Sequence, residues 1–350
     1  MTNNVIEVVP PGMSNIIAVF KQHWRLTAII IGGLLIAASM VYAFSVLGSR
    51  RSVVNQDVPA VPNPSPAAAA KTYTDLYAVS IDNHIDARPP SGLNQAVIVF
   101  EAPVEGGITR FLAVFERGVA VPEIGPVRSA RPYFLDWVSE LGSSLFLHIG
   151  GSPAALERIN STPYLREADR DGISTYGDSF WRDSRRNAPH NAYTSSDNVE
   201  KIFAERSGGV RSITPYLMAA DAPETVRGNG DSFTVPLSAE PDFRPEWRYD
   251  KAKNFYTRFV KGVLQADRAG APLVAKNIIV METTGQVLDD IGRLNLVTAG
   301  SGKATVYHDG QKVEAIWKNG DGSALARFYA ADGSEIALTE GSVWIEIIKL

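Results

Sequence analysis

Four polar stretches of this 350-residue chain gather side chains able to do chemistry. In EAPVEGGITR, Glu101 closes one apolar run, Glu105 lies in a turn and Arg110 opens the next run. Two carboxylates can act as general acid and base when burial or mutual repulsion separates their pKa values. The plainer alternative is an ion pair between Glu101 and Arg110 across a hairpin. In IGPVRSARPY, Arg128 and Arg131 stand just before or within the first turn of a helix. There the fork of a guanidinium and the free backbone N–H groups both suit a carboxylate or a phosphate. LHIGGSPAA ends a strand with Gly150 and Gly151 and starts a helix with Ser152 as N-cap and Pro153 at its first position. Its backbone could cradle an anion, or Ser152 could act as a nucleophile near His148, but capping already explains the serine's type and place. FWRDSRRNAPHNAYTS carries Arg182, Arg185, Arg186, Asn187, His190, Asn191 and Tyr193 with little periodicity, a mixture of donors, imidazole and aromatic surface suited to recognising a sugar or peptide. His190 is the candidate general base of that loop, with a hydrogen-bonded loop histidine as the plain alternative.

These stretches sit where short elements end. Apolar runs at Tyr77–Ile81, Ala96–Phe100, Phe111–Phe115 and Leu145–Ile149 have strand length, and Phe134, Trp137, Val138 and Leu141 recur at the spacing of a buried helix face after a cap at Ser129. A second helix is expected over Ala154–Asn160. Strands alternating with helices predict a layered α/β domain over 73–243, whose strand ends would carry the ligand. From 244 to 350 the pattern changes to short strands, at Phe255–Val260, Asn277–Met281, Lys303–His308, Val313–Trp317, Ala326–Tyr329 and Val343–Lys349. Asp309-Gly310, Asn319-Gly320 and Asp332-Gly333 supply turns between several of them. The expectation is a smaller, mostly antiparallel β domain.

Composition narrows the function classes. The net charge is −4 and the basic residues are scattered, so there is no positive field for nucleic acid. The chain has no cysteine, which removes disulfides, thiolate metal sites, thiol catalysis and acylation at an N-terminal cysteine. Its five histidines, His23, His84, His148, His190 and His308, show no close metal spacing, and DNHID at Asp82–Asp86 reads as a strand-end turn. No metal and no cofactor are expected.

The N-terminal part is read as membrane attachment. Leu26–Leu47 is an uncharged apolar run of 22 residues, about 33 Å as a helix, flanked by Lys21 and Arg25 before and Arg50 and Arg51 after. The flanking charges tie. The short tail 1–25 and the Pro/Ala-rich linker 48–72 after the span argue for a cytoplasmic N-terminus and extracytoplasmic domains, with the bilayer as a partner through Leu26–Leu47.

The runs YAVSIDNHIDARPPSGLNQAVIVFEAPVEGGITRFLAVF, IGPVRSARPYFLDW, HIGGSPAAL and APHNAYTS, with YTRFVKG, NIIV and GSVWIEI further on, resemble the YerB-like family of bacterial extracytoplasmic proteins, often lipoproteins. The likeness covers essentially all of 73–350. It implies export and a two-part division of the exported region, and it brings no established activity. Lacking the acylated cysteine of the lipoprotein members, this chain is expected to depend on its apolar span for attachment.

The reading that follows is an exported module binding an anionic cell-envelope ligand, a peptidoglycan fragment or glycan, at Arg110, Arg128, Arg131, Gly150, Gly151, Ser152, Asn187, His190 and Asn191. The alternatives are an envelope hydrolase or lyase using Glu101 or Glu105 with His190, and a scaffold docking another membrane protein through the β-rich part.

Overall fold

The computed structural model describes residues 68–142, 145–173, 176–205, 211–320, 322 and 324–350. The tail, the apolar span Leu26–Leu47 and most of the linker lie outside these residues. Among the described residues, no helix is long and apolar enough to cross a membrane.

Ten strands form one continuous sheet. They are Leu76–Asp82 (β1), Ile98–Pro103 (β2), Thr109–Glu116 (β3), Leu145–His148 (β4), Asp169–Asp171 (β5), Asn277–Thr283 (β6), Gly300–His308 (β7), Gln311–Asn319 (β8), Arg327–Tyr329 (β9) and Val343–Lys349 (β10). Their order across the sheet is β9, β8, β7, β6, β10, β2, β3, β1, β4, β5. The C-terminal strand β10 lies parallel to both β2 and β6 and so joins the two halves of the chain, pairing Glu346 with Glu101 and Val280. Pro64–Leu350 is one compact unit.

The two-residue period of a strand assigns side chains to faces. From β1, Leu76 and Ala78 point into one apolar core while Tyr77, Val79 and Ile81 point into the other. Every residue of β1 and β2 is buried, so the centre of the sheet is covered on both sides. On the first face lie the helices Pro132–Glu140 (α1), Pro153–Ser161 (α2) and Pro163–Ala168 (α3), with Tyr133, Phe134 and Trp137 of α1 in the core. On the second face lie Ser196–Glu205 (α4) and a five-stranded sheet containing Pro245–Asp250 and Phe255–Val260, whose Trp247 and Tyr256 enter the core with Val199 and Ile202 of α4.

The fold is therefore mostly β, and the expected class, a layered α/β domain followed by a smaller mostly antiparallel β domain, is corrected. Strand β3 lies between β1 and β2 and pairs antiparallel with each, and the connections among the three carry only short 3₁₀ turns and no α-helix. Part of the cover over the second face is a sheet, and the C-terminal strands extend the same ten-stranded sheet as the N-terminal ones. Short apolar runs signal strands but carry no information about which distant strand becomes a neighbour.

Local signals fared better. The spacing Phe134, Trp137, Val138, Leu141 is the buried face of α1, and Ser152 caps α2 by accepting from the Ala155 N–H at 3.3 Å, with Pro153 next. Asp309 and Gly310 both take positive φ in the turn between β7 and β8, as the Asp-Gly pair predicts. Ser129 is not the cap of α1. That place belongs to Arg131, whose side chain makes no capping bond, and the Ser129 hydroxyl instead donates to Ile149 O at 3.0 Å. The hairpin Gly285–Val287 with Leu294–Leu296 leaves Val287, Leu288, Ile291 and Val297 exposed.

Candidate functional site

The site forms where β1 ends. The segment after β3 returns along the C-terminal ends of β1 and β4, held by Asp82 N–H to Pro126 O at 2.8 Å, Arg128 N–H to Ser80 O at 2.8 Å and Ile149 N–H to Arg128 O at 3.0 Å. Gly125 is needed for this return. At φ 150° a β-carbon there would stand 2.8 Å from Tyr193 Cδ1 and 2.9 Å from Ala192 O. Close approach to Ala192 and Tyr193 in turn brings the 182–191 loop over the end of β1, where Arg186 donates to the carbonyls of Ala87 and Pro89.

Asp82 is the hub. Its carboxylate is 1% exposed and accepts from the His84 N–H at 3.1 Å on one oxygen. The other oxygen meets His190 Nδ1 at 2.7 Å and Arg128 Nε at 3.0 Å. Burial pushes this carboxyl up, but Arg110, Arg128 and the hydrogen bonds outweigh it and hold Asp82 below the ordinary carboxylate range. A carboxylate against Nδ1 makes that nitrogen a proton-bearing one. The His84 ring stacks on His190 with centroids 4.6 Å apart.

Three guanidiniums share this end of the sheet. Arg131 grips Glu105 with two nitrogens and donates to Ala130 O at 2.8 Å. Burial raises Glu105, yet its bonds to Arg131 bring it below the usual range. Arg110 differs from the other two. It is 3% exposed, it has no carboxylate within ion-pair distance among the described residues, its single hydrogen-bond acceptor there is Ser129 O at 2.9 Å, and its Nε, like that of Arg128, makes no hydrogen bond. Burial and the neighbouring Arg131 push Arg110 down to about 10. Counted formally, Arg110, Arg128 and Arg131 against Asp82 and Glu105 leave one positive charge in excess in a largely desolvated place.

The other expected site residues divide. Glu101 is outside the site altogether. It is fully buried, bonded to Asn83 Nδ2 at 2.9 Å, Thr109 Oγ1 at 2.6 Å and Arg258 Nη2 at 2.8 Å, so its cation is Arg258 and not Arg110. Beside it Glu346 accepts from Trp247 Nε1 at 2.8 Å, and burial with the charge of Glu101 raises Glu346 well above the ordinary range. Both candidate glutamates are thus tied to arginines. Gly150 N–H is taken by Asp171 Oδ1 at 2.8 Å and Ser152 N–H by Ala130 O at 3.2 Å, so two of the three amides of that turn are already engaged. A β-carbon on Gly151 would meet Leu156 at 2.9 Å, which makes that glycine a packing residue for α2. His148 is buried with both ring nitrogens engaged, at Gly150 O and Asp169. Asn191 is fixed by Arg182 and by Arg186 O, while Asn187 is exposed and supplies its carbonyl to the His190 N–H.

Sequence reasoning passed over Asp82 and His84 by treating DNHID as a turn, and it missed Arg258, Glu346 and Trp247. A signal existed for two of them. Asp82 and Glu346 are acids within otherwise apolar strand runs that the fold buries on both faces.

The chain matches the family described as "Protein of unknown function (DUF3048)", through its N-terminal domain over residues 65–219 and its C-terminal domain over residues 233–345. It is 35% identical over 280 residues to the protein named "Putative lipoprotein YerB" of Bacillus subtilis (strain 168), covering 77% of this chain and 80% of that protein. The crystal structure of the YerB protein from Bacillus subtilis superposes with a TM-score of 0.65 at 31% identity, covering 78% of this chain and 90% of that one.

Proposed function

The chain belongs to this DUF3048, YerB-like family, and from that premise we propose that it is a membrane-attached extracytoplasmic protein that binds an anionic cell-envelope ligand at Arg110, Arg128, Arg131 and His190. The observation that carries the reading is Arg110. A guanidinium this deeply buried, bonded to one carbonyl and flanked by two more guanidiniums, is an arrangement that an external carboxylate or phosphate completes. The name of the Bacillus relative and the apolar run Leu26–Leu47 support attachment at the outer face of the membrane.

Binding of the purified full chain to peptidoglycan sacculi and to purified anionic envelope glycans tests the site. A charge-assisted hydrogen bond contributes about 1.5–3 kcal/mol, so Arg110→Ala and the more exposed Arg128→Gln should each weaken binding at least about tenfold. Raising the salt concentration should weaken it further. Wild-type affinity in Arg128→Gln with an unchanged melting temperature would remove the site. Location is read separately. A cysteine introduced as Asn55→Cys is the sole thiol of the chain, and it should react with a membrane-impermeant maleimide in intact cells. Labelling only after lysis would reverse the orientation.

A further inference from the structure

The end of β1 holds a proton-transfer group beside the arginines. His190 Nδ1 and Arg128 Nε meet the same oxygen of Asp82, at 2.7 and 3.0 Å, which sets the imidazole next to a guanidinium of the site. The carboxylate between them is buried and is held on its other oxygen by the His84 N–H. The His84 ring lies against the His190 ring, 16° from parallel, so the imidazole is fixed on its face as well as at its edge. Nδ1 is committed to Asp82. Nε2 makes no hydrogen bond among the described residues, and the side chain reaches solvent. An imidazole held in this way can take a proton at its second nitrogen, and the buried carboxylate stabilises the imidazolium that results.

The arginines indicate what such a base would act on. Their excess of one positive charge matches the single negative charge of a phosphodiester. Attack on phosphorus adds a second negative charge, which the new imidazolium offsets. A carboxylate satisfies the arginines equally well but has no leaving group for water to displace. Besides Asp82 and Arg128, the charged neighbour of the imidazole is Asp86 of the 3₁₀ turn Ile85–Ala87, within 4.8 Å and largely in water. Arg186 of the same loop as His190 is turned away to the carbonyls of Ala87 and Pro89.

We propose that this site hydrolyses phosphodiesters, with His190 as general base and with Asp82 and His84 as positioning residues. The inference rests on the anion-binding reading above and narrows its ligand to a phosphodiester-linked envelope glycan. Arg110 and Arg128 hold the non-bridging oxygens of the phosphate. His190 Nε2 takes one proton from a water molecule as the water oxygen bonds to phosphorus. The bond from phosphorus to the alcohol oxygen breaks, and that oxygen takes a proton from solvent. The imidazolium then returns its proton to solvent, leaving a phosphomonoester and an alcohol.

The test uses the purified full chain in detergent, with bis(p-nitrophenyl) phosphate for turnover and with sacculi and anionic glycans for binding. Release of p-nitrophenolate should exceed the buffer rate, and His190→Gln should lower kcat by about 10² to 10⁴-fold at an unchanged melting temperature. In the parent, kcat/KM should climb with pH and level off once the imidazole is neutral, and His190→Gln should lose that climb. Asp82→Asn removes the counter-charge of the imidazolium, so it should move the midpoint of the climb to lower pH. Binding of the envelope polymers without turnover of the diester overturns the proposal and leaves the binding reading standing. Failure of both binding and turnover removes the two together. Turnover at the parent's rate in a folded His190→Gln also overturns it.

Discussion

Replacing Arg258 by alanine is expected to cost about 3–5 kcal/mol of folding stability, the usual penalty for breaking a buried pair from one side. Arg258 and Glu101 are both essentially inaccessible, joined at 2.8 Å. The guanidinium lies 5.6 Å from the Phe111 ring centre and 5.5 Å from that of Trp344, so its surroundings are aromatic rather than wet. Without it Glu101 keeps Asn83 and Thr109 as donors but loses its cation, while Glu346 stays next to it. Replacing both partners, as Glu101→Gln with Arg258→Met, should cost less than the sum of the single changes, because no charge is then stranded. Urea unfolding of the four proteins measures this. A single-variant loss under about 1 kcal/mol would mean that water reaches the pair and screens it.

The second large effect is a gain. Glu140→Gln is expected to stabilise the protein at pH 8 by about 2–4 kcal/mol, with the difference shrinking towards zero near pH 4.5. Glu140 lies at the end of α1 with one oxygen bonded to Asn319 Nδ2 at 2.8 Å, and its other oxygen meets no partner among the described residues. Burial, opposed by Asn319 and reinforced by Asp136, pushes this carboxyl up to about 8. Between the ordinary value of 4.5 and about 8 the folded protein keeps a proton that the unfolded chain has released. The contribution of Glu140 is therefore intact below that window and is lost as the pH rises through it. Glutamine keeps the acceptor for Asn319 and never ionises. A stability difference that does not change between pH 5 and pH 8 would show that Glu140 is ionised throughout.

Both effects concern acids that the sequence places inside apolar surroundings, and this is also where sequence reading and structure part. Within one element, the sequence was enough. Alternating and continuous apolar runs located β1, β2, β3, β6 and β10, the three-and-four spacing located α1, and Ser152-Pro153 located the start of α2, because each signal acts between residues a few positions apart. The family was legible for the same reason, as several ungapped motifs occur in order. Lone arginines and histidines were legible as polar residues at strand ends, where Arg110, Arg128, Arg131 and His190 do converge.

Pairings across the chain were decided only by the tertiary structure. The sequence suggested Glu101 with Arg110 because they are close along a hairpin, but residues paired across neighbouring strands at Ala102 and Arg110 leave Glu101 on the opposite face, where Arg258 arrives from 157 positions away. Asp82 and His190 are 108 positions apart and meet through a return loop that depends on Gly125. The parallel insertion of β10 between β2 and β6 turned two apparent domains' strands into one sheet. A short apolar run records that it will be buried on two faces. Which strand lies beside it is set by the register and the covering layers, which depend on the whole chain.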